Sequence, residues 1–112
     1  EMFRAVRLVV DTGMHAKRWS REKAIDYMRV KTGLTQAEVT REIERYVVWP
    51  GQATSYKVGQ QAILAVRAKA ELALGEQFDS RLFHEALLSS GAMPLAILEW
   101  NIDQWIAQQK AK

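Results

Sequence analysis

The sequence predicts an all-α fold of about six helices joined by short connections. Apolar residues recur at helical spacing along most of the 112 residues, and no stretch alternates apolar and polar residues as a half-buried strand would. Glycine, proline or a capping residue separates each helical stretch from the next. Connections this short favour antiparallel neighbouring helices.

The first helix is already under way where the chain begins. Its apolar face is formed by Met2, Ala5, Val6, Val9 and Val10, and its polar stripe by Arg4, Arg7 and Asp11. No N-cap precedes it, so we expect this sequence to be a fragment of a larger helical protein that extends upstream. Thr12 and Gly13 are expected to loosen or end the helix. If helical turns persist through Gly13, Asp11 could accept the N–H of His15 and hold it in one tautomer; otherwise His15 merely caps the helix end.

Capping residues predict the next two helices. Ser20 is a suitable N-cap for a helix that ends before Gly33, where the chain needs a left-handed residue. Thr35 and Glu38 match a capping box, in which each side chain bonds the other residue's backbone N–H. That pattern predicts a helix from about Gln36 to Val48.

Residues 49–59 are the most distinctive stretch of the chain. Pro50 and Gly51 impose a turn, after which a long central helix near 53–74 begins. Its apolar stripe consists of Tyr56, Gly59, Ile63, Val66, Ala70 and Ala73. A glycine inside a helix costs about 1 kcal/mol relative to alanine, so we expect close approach at Gly59 by another helix or by a substrate backbone beside Tyr56.

Two shorter helices complete the prediction. Asp79 caps the first of them, with Phe78 and Phe83 as its hydrophobic staple, and it is expected to run until Gly91. The second begins with Pro94 as its first helical residue and frays at the end of the chain.

Composition excludes several classes of function. The absence of cysteine excludes a thiolate nucleophile and disulfides, and two histidines are too few for a zinc site within the chain. His84 and Glu85 begin like a zinc-protease motif, but the second histidine is missing. No apolar run is long enough to span a membrane, so we expect a soluble protein of the cytoplasm or periplasm. Glutamates in the helix after Thr35 argue against nucleic acid as a partner.

Two ordered motifs carry a resemblance to a known family. The first comprises Arg7-Leu8-Val9-Val10-Asp11-Thr12-Gly13-Met14-His15 followed by Trp19-Ser20-Arg21-Glu22-Lys23-Ala24, and the second runs from Trp49-Pro50-Gly51-Gln52-Ala53 through Tyr56-Lys57-Val58-Gly59. Together with Phe78-Asp79 and Met93-Pro94-Leu95, they look like the C-terminal part of the bacterial domain of unknown function 885 family. That family resembles helical zinc metallopeptidases of the gluzincin type.

The resemblance implies a role for four residues of this chain. His15 and Tyr56 would be catalytic, as hydrogen-bond donors to the oxyanion that forms when water attacks a peptide carbonyl. Gln52 and Lys57 would contact a substrate backbone or carboxylate. Residues 1–112 would form a single helical unit at the C-terminal end of a larger metallopeptidase-like domain. This unit would bind no metal and be inactive alone, since the zinc of the full-length protein would be held by residues upstream.

Two functions therefore remain open for the sequence. One is the C-terminal part of a zinc-dependent metallopeptidase, whose partners are the upstream part of the same chain and a peptide substrate. The other is a non-catalytic helical interaction or scaffold module. Apolar faces left without upstream helices would also allow the fragment to self-associate. A His-Glu helix upstream of Glu1 would favour the peptidase, and its absence would favour the module.

Overall fold

A computed structural model describes all residues from 1 to 112 and contains six α-helices and no strand. The helices are α1 Met2–Ala16, α2 Arg21–Thr32, α3 Gln36–Val48, α4 Gln52–Leu74, α5 Ser80–Leu88 and α6 Leu95–Lys110. A short 3₁₀ turn, Gly75–Gln77, follows α4. The all-α prediction is confirmed, and α4 is the longest helix, with 23 residues.

The chain divides into two compact units, Glu1–Val58 and Gly59–Lys112, which we call the N-terminal and C-terminal units. Helix α4 contributes residues to both. The prediction that residues 1–112 act as one segment of a larger domain stays a prediction. No helix has both the length and the apolar character that crossing a membrane would require.

The N-terminal unit is built from α1, α2, α3 and the first turns of α4. Its core consists of Val6, Val10, Ala24, Ile25, Met28, Val39, Ile43, Tyr46 and Ala53. The predicted caps are present: the Ser20 hydroxyl accepts the Lys23 N–H at 3.1 Å. At the next helix, the Glu38 N–H donates to the Thr35 hydroxyl at 3.3 Å, and the Thr35 N–H donates to the Glu38 carboxylate at 2.9 Å. The capping box is therefore confirmed.

The sequence predicts that Thr12 and Gly13 loosen or end helix α1, but the helix continues to Ala16. The Thr12 hydroxyl bonds back to the Leu8 carbonyl at 2.7 Å, so it stays within the helix. Gly13 is needed for packing, because a Cβ there would lie 2.6 Å from Cδ2 of Trp19. The Trp19 N–H also donates to the Gly13 carbonyl at 3.0 Å, after Arg18 turns the chain with a φ of 54°.

The C-terminal unit packs the second part of α4 against α5 and α6. Its core consists of Val66, Ala70, Leu74, Phe83, Ile102 and Ile106. The Asp79 carboxylate caps α5 by accepting the N–H groups of Arg81 and Leu82. The predicted staple is present as well, with the Phe78 and Phe83 ring centroids 5.8 Å apart.

Four predictions about α4 and the helices that follow it are wrong in detail. Tyr56 and Ile63 are 45% and 37% exposed, so only the later members of the α4 stripe are buried, where α5 and α6 cover them. A Cβ at Gly59 would meet no atom within 4 Å, so the expected close approach is not made by this chain. Helix α5 ends at Leu88, before Gly91, and Pro94 is the N-cap of α6 and not its first helical residue.

Candidate functional site at the start of helix α4

A buried carboxylate joins two distant parts of the sequence. Asp11 on α1 is 1% exposed, and its Oδ2 accepts the Thr54 N–H at 3.0 Å and the Thr54 hydroxyl at 2.9 Å. Its Oδ1 accepts the Gly51 N–H at 3.2 Å. These N–H groups belong to the N-terminus of α4 and have no partner within that helix. Asp11 therefore caps α4 from a different helix.

The hydrogen bonds decide the ionisation of Asp11. Burial alone raises the pKa of this carboxyl, but the donors from Gly51 and Thr54, together with His15, outweigh burial and leave the pKa below its ordinary value. The positive end of the α4 dipole favours the same charged form. Asp11 is thus a carboxylate at neutral pH.

The same carboxylate holds His15. The Nδ1 atom of His15 lies 2.8 Å from Asp11 Oδ1 and 2.9 Å from the Asp11 carbonyl oxygen. Because both oxygens can only accept, Nδ1 must carry the proton. The conditional prediction that Asp11 orients the imidazole is confirmed, because α1 remains helical through Gly13. The His15 side chain is 30% exposed, and its Nε2 is the nitrogen left for other partners.

Tyr56 lies on α4 within a polar cluster. The Arg7 guanidinium carbon lies 4.5 Å from the centroid of its ring, and that of Arg4 lies 5.9 Å away. The Gln52 side-chain nitrogen donates to the Tyr56 hydroxyl at 3.4 Å. Residue 56 is 45% exposed, so its hydroxyl belongs to a partly open site and not to the core.

Arg7 is the unexpected member of this cluster. The sequence places it on a polar stripe of α1, yet it is only 7% exposed. Its guanidinium lies over the rings of Phe3, Tyr46 and Tyr56, and one terminal nitrogen donates to the Gln52 Oε1 at 3.1 Å. Its buried Nε has no hydrogen-bond partner. The signal in the sequence was its helical spacing from Phe3 and Asp11.

A second arginine completes the cluster. Arg45 donates to Gln52 Oε1 at 3.3 Å and to Glu42 Oε2 at 2.7 Å. The hydroxyl of Tyr46 also donates to Glu42, at 2.5 Å. Burial raises the pKa of Glu42, but the bonds from Tyr46 and Arg45 outweigh it and lower the pKa below its ordinary value. Burial and the Glu42 bond raise the pKa of the Tyr46 phenol, which therefore stays protonated.

The structure does not bring the four predicted site residues together in one hydrogen-bonded cluster. Asp11 ties His15 to the first turn of α4, and Gln52 bonds Tyr56 one turn further along that helix. No hydrogen bond joins His15 to Tyr56. The Lys57 ammonium pairs with the Glu1 carboxylate. The catalytic and substrate-binding roles expected of these residues stay predictions.

The residues present do not fit a zinc ion by themselves. No group of three or more histidine, aspartate or glutamate side chains is close enough together to hold a metal. Asp11, the only carboxylate that bonds His15, already accepts hydrogen bonds on both oxygens. A groove of about 660 Å³ also lies in the N-terminal unit, with Glu42 and Arg45 on its wall, but none of the predicted site residues line it.

Comparison with known proteins identifies relatives of the chain. The crystal structure of a protein described as a putative lipoprotein from Colwellia psychrerythraea matches 95% of this chain at 52% sequence identity, with a TM-score of 0.92. The match covers 18% of that much longer chain. A search of curated proteins gave no match. The model of the family described as "Bacterial protein of unknown function (DUF885)" matches residues 1–102, and the chain therefore belongs to this family.

Proposed function

We propose that residues 1–112 are the C-terminal part of a zinc-dependent peptidase and supply hydrogen-bond donors to its active site. One observation carries the proposal: the buried carboxylate that orients His15 also caps the helix on which Tyr56 lies. This arrangement fixes two polar side chains, 41 positions apart in sequence, to one rigid support. Such rigidity is what stabilisation of a developing charge requires.

His15 would serve as a cationic donor. Its Nδ1 proton is committed to Asp11, so the neutral ring offers only a lone pair at Nε2. Only the imidazolium carries a second N–H, at Nε2. A substrate oxygen that gains negative charge would therefore be met by the protonated form of His15.

Tyr56 would donate its phenolic O–H to the same oxygen. A phenol is a neutral donor at physiological pH and needs no proton transfer to act. Each such donor contributes about 10²–10³ in turnover when it is aimed at the developing oxyanion. Lys57 and the second N–H of Gln52 are proposed to bind the substrate backbone or carboxylate beside it.

Zinc, when bound, would supply a polarised water for attack on the peptide carbonyl. Its ligands are proposed to lie outside residues 1–112, because the residues of this chain do not form a metal site. The longer relative leaves most of its length for them, since the match covers 18% of that chain. Its description as a lipoprotein favours a location at the cell envelope over the cytoplasm.

The test is peptide hydrolysis by the full-length protein. Zinc content and turnover of a peptide library are measured before and after chelation, then for Tyr56→Phe and His15→Ala. We expect zinc-dependent cleavage, and in each variant a loss of about 10²–10³ in turnover with unchanged zinc content. A zinc-free wild type that cleaves no peptide would refute the proposal.

A non-catalytic helical module is the second candidate. It is favoured by the apolar side chains that the C-terminal unit leaves exposed, including Leu72 at 88%, Trp100 at 60% and Leu64 at 54%. Exposed faces of this kind pack against other helices. The partner would be the upstream part of the same chain or a second copy. Sedimentation of the full-length protein distinguishes these two partners, because association with a second copy depends on concentration whereas contacts within one chain do not.

A further inference from the structure

The side-chain amide of Gln52 has only one possible orientation. Its Oε1 receives hydrogen bonds from Arg7 at 3.1 Å and from Arg45 at 3.3 Å. A guanidinium group can only donate, so the atom that faces both arginines must be the oxygen. The amide nitrogen then faces the Tyr56 hydroxyl, at 3.4 Å.

Both arginines are themselves held in place. Arg45 is fixed by its ion pair with Glu42 at 2.7 Å. Arg7 is enclosed by the rings of Phe3, Tyr46 and Tyr56 and is almost fully buried. Reversal of the Gln52 amide would aim its N–H groups at two cations, so the surrounding charges oppose it.

This orientation sets the direction of the hydrogen bond at Tyr56. The Gln52 nitrogen can only donate, so the Tyr56 oxygen accepts. The Tyr56 phenol has one proton, and it does not donate that proton to Gln52. A hydroxyl that accepts one hydrogen bond also becomes a stronger donor in the next.

We infer that Gln52 is a positioning residue that keeps the Tyr56 hydroxyl proton available for a substrate oxygen. The direction of the hydrogen bond follows from the contacts of Gln52 alone. Its importance for turnover rests on the proposed function. Gln52 acts in this role through Tyr56, and Arg7 and Arg45 act through Gln52.

Gln52→Glu in the full-length protein tests the inference. It keeps the shape of the side chain but replaces the NH₂ group, which donates a hydrogen bond to Tyr56, with an oxygen that can only accept one. A carboxylate at position 52 pairs with both arginines and accepts the Tyr56 proton. We expect turnover to fall about 10²-fold, as for loss of one oxyanion donor, with thermal stability equal or higher. Gln61→Glu, the same change at an exposed position of α4, is the control and should leave turnover unchanged.

A spectroscopic measurement separates this inference from the proposed function. The Raman Fermi doublet of tyrosine reports whether a phenol accepts or donates, and the difference between wild type and Tyr56→Phe isolates residue 56. We expect an accepting phenol in the wild type and a donor-only phenol in Gln52→Glu. The same doublet in both proteins would overturn the inference. If no peptide is cleaved, the proposed function fails while the doublet still decides the direction of the bond.

Discussion

Asp11→Asn is the most informative single change in the N-terminal unit. It keeps the size of the side chain but replaces one accepting oxygen with an NH₂ group. In wild type, Oδ2 serves Thr54 and Oδ1 serves Gly51 and His15. The Thr54 hydroxyl can turn to accept, but a backbone N–H cannot reverse. In either amide orientation, one N–H at the start of α4 therefore loses its acceptor.

The cost follows from two contributions. A partly buried N–H without an acceptor costs about 1–3 kcal/mol. Removal of the negative charge from the helix N-terminus costs about 0.3–1 kcal/mol more, and up to about 2 in a buried site. We therefore expect Asp11→Asn to destabilise the start of α4 by about 2–3 kcal/mol.

Native-state hydrogen exchange measures this cost locally in the full-length protein. The backbone amides of residues 51–56 should exchange about 30–150-fold faster in Asp11→Asn, the factor that about 2–3 kcal/mol implies. The matched control is Asp26→Asn on α2, whose side chain is 73% exposed and which should change stability by less than about 0.5 kcal/mol. Unchanged exchange in residues 51–56 of Asp11→Asn would refute the assignment of Asp11 as the cap of α4.

Three further predictions concern stability. Gly13→Ala should cost about 1–3 kcal/mol in thermal unfolding, because the new Cβ would lie 2.6 Å from Trp19, and Trp19→Leu in the same chain should recover part of the loss. The folded pKa of Asp11 lies below its unfolded value of 3.8, so the stability from this group is complete above about pH 4 and is lost as pH falls through the folded pKa. Asp11→Asn should therefore show a shallower loss of unfolding free energy in acid, and equal slopes would contradict the sign. Phe83→Ala, at 1% exposure, should cost about 3–5 kcal/mol in urea unfolding, whereas Arg81→Ala, with 90% side-chain exposure, should have little effect.

Local features of the fold could be predicted from the sequence because their causes lie within a few residues. The Thr35–Glu38 capping box and the Phe78–Phe83 staple both form as predicted. The interpretation of Gly13 failed for a different reason. A glycine that ends a helix and a glycine that admits an aromatic ring look identical in sequence, and only the position of Trp19 distinguishes them.

Only part of the candidate site could be predicted from the sequence. The spacing of Asp11 and His15 predicted their hydrogen bond, since helical geometry brings residues four apart together. The capping of α4 by Asp11 joins positions 43 residues apart and depends on how helices pack, which no local pattern encodes. For the same reason the sequence placed Arg7 on a polar stripe and did not predict that contacts with Tyr46, Gln52 and Tyr56 bury it.

The affinity of the full-length protein for a transition-state analogue tests the central claim most directly. A phosphinic peptide mimics the tetrahedral oxyanion, whereas the uncleaved peptide does not. If His15 and Tyr56 donate to that oxyanion, Tyr56→Phe and His15→Ala should each weaken binding of the analogue about 10²-fold while KM changes less than about threefold, and Tyr27→Phe should change neither. Equal losses for analogue and substrate, or no loss for the analogue, would contradict the claim.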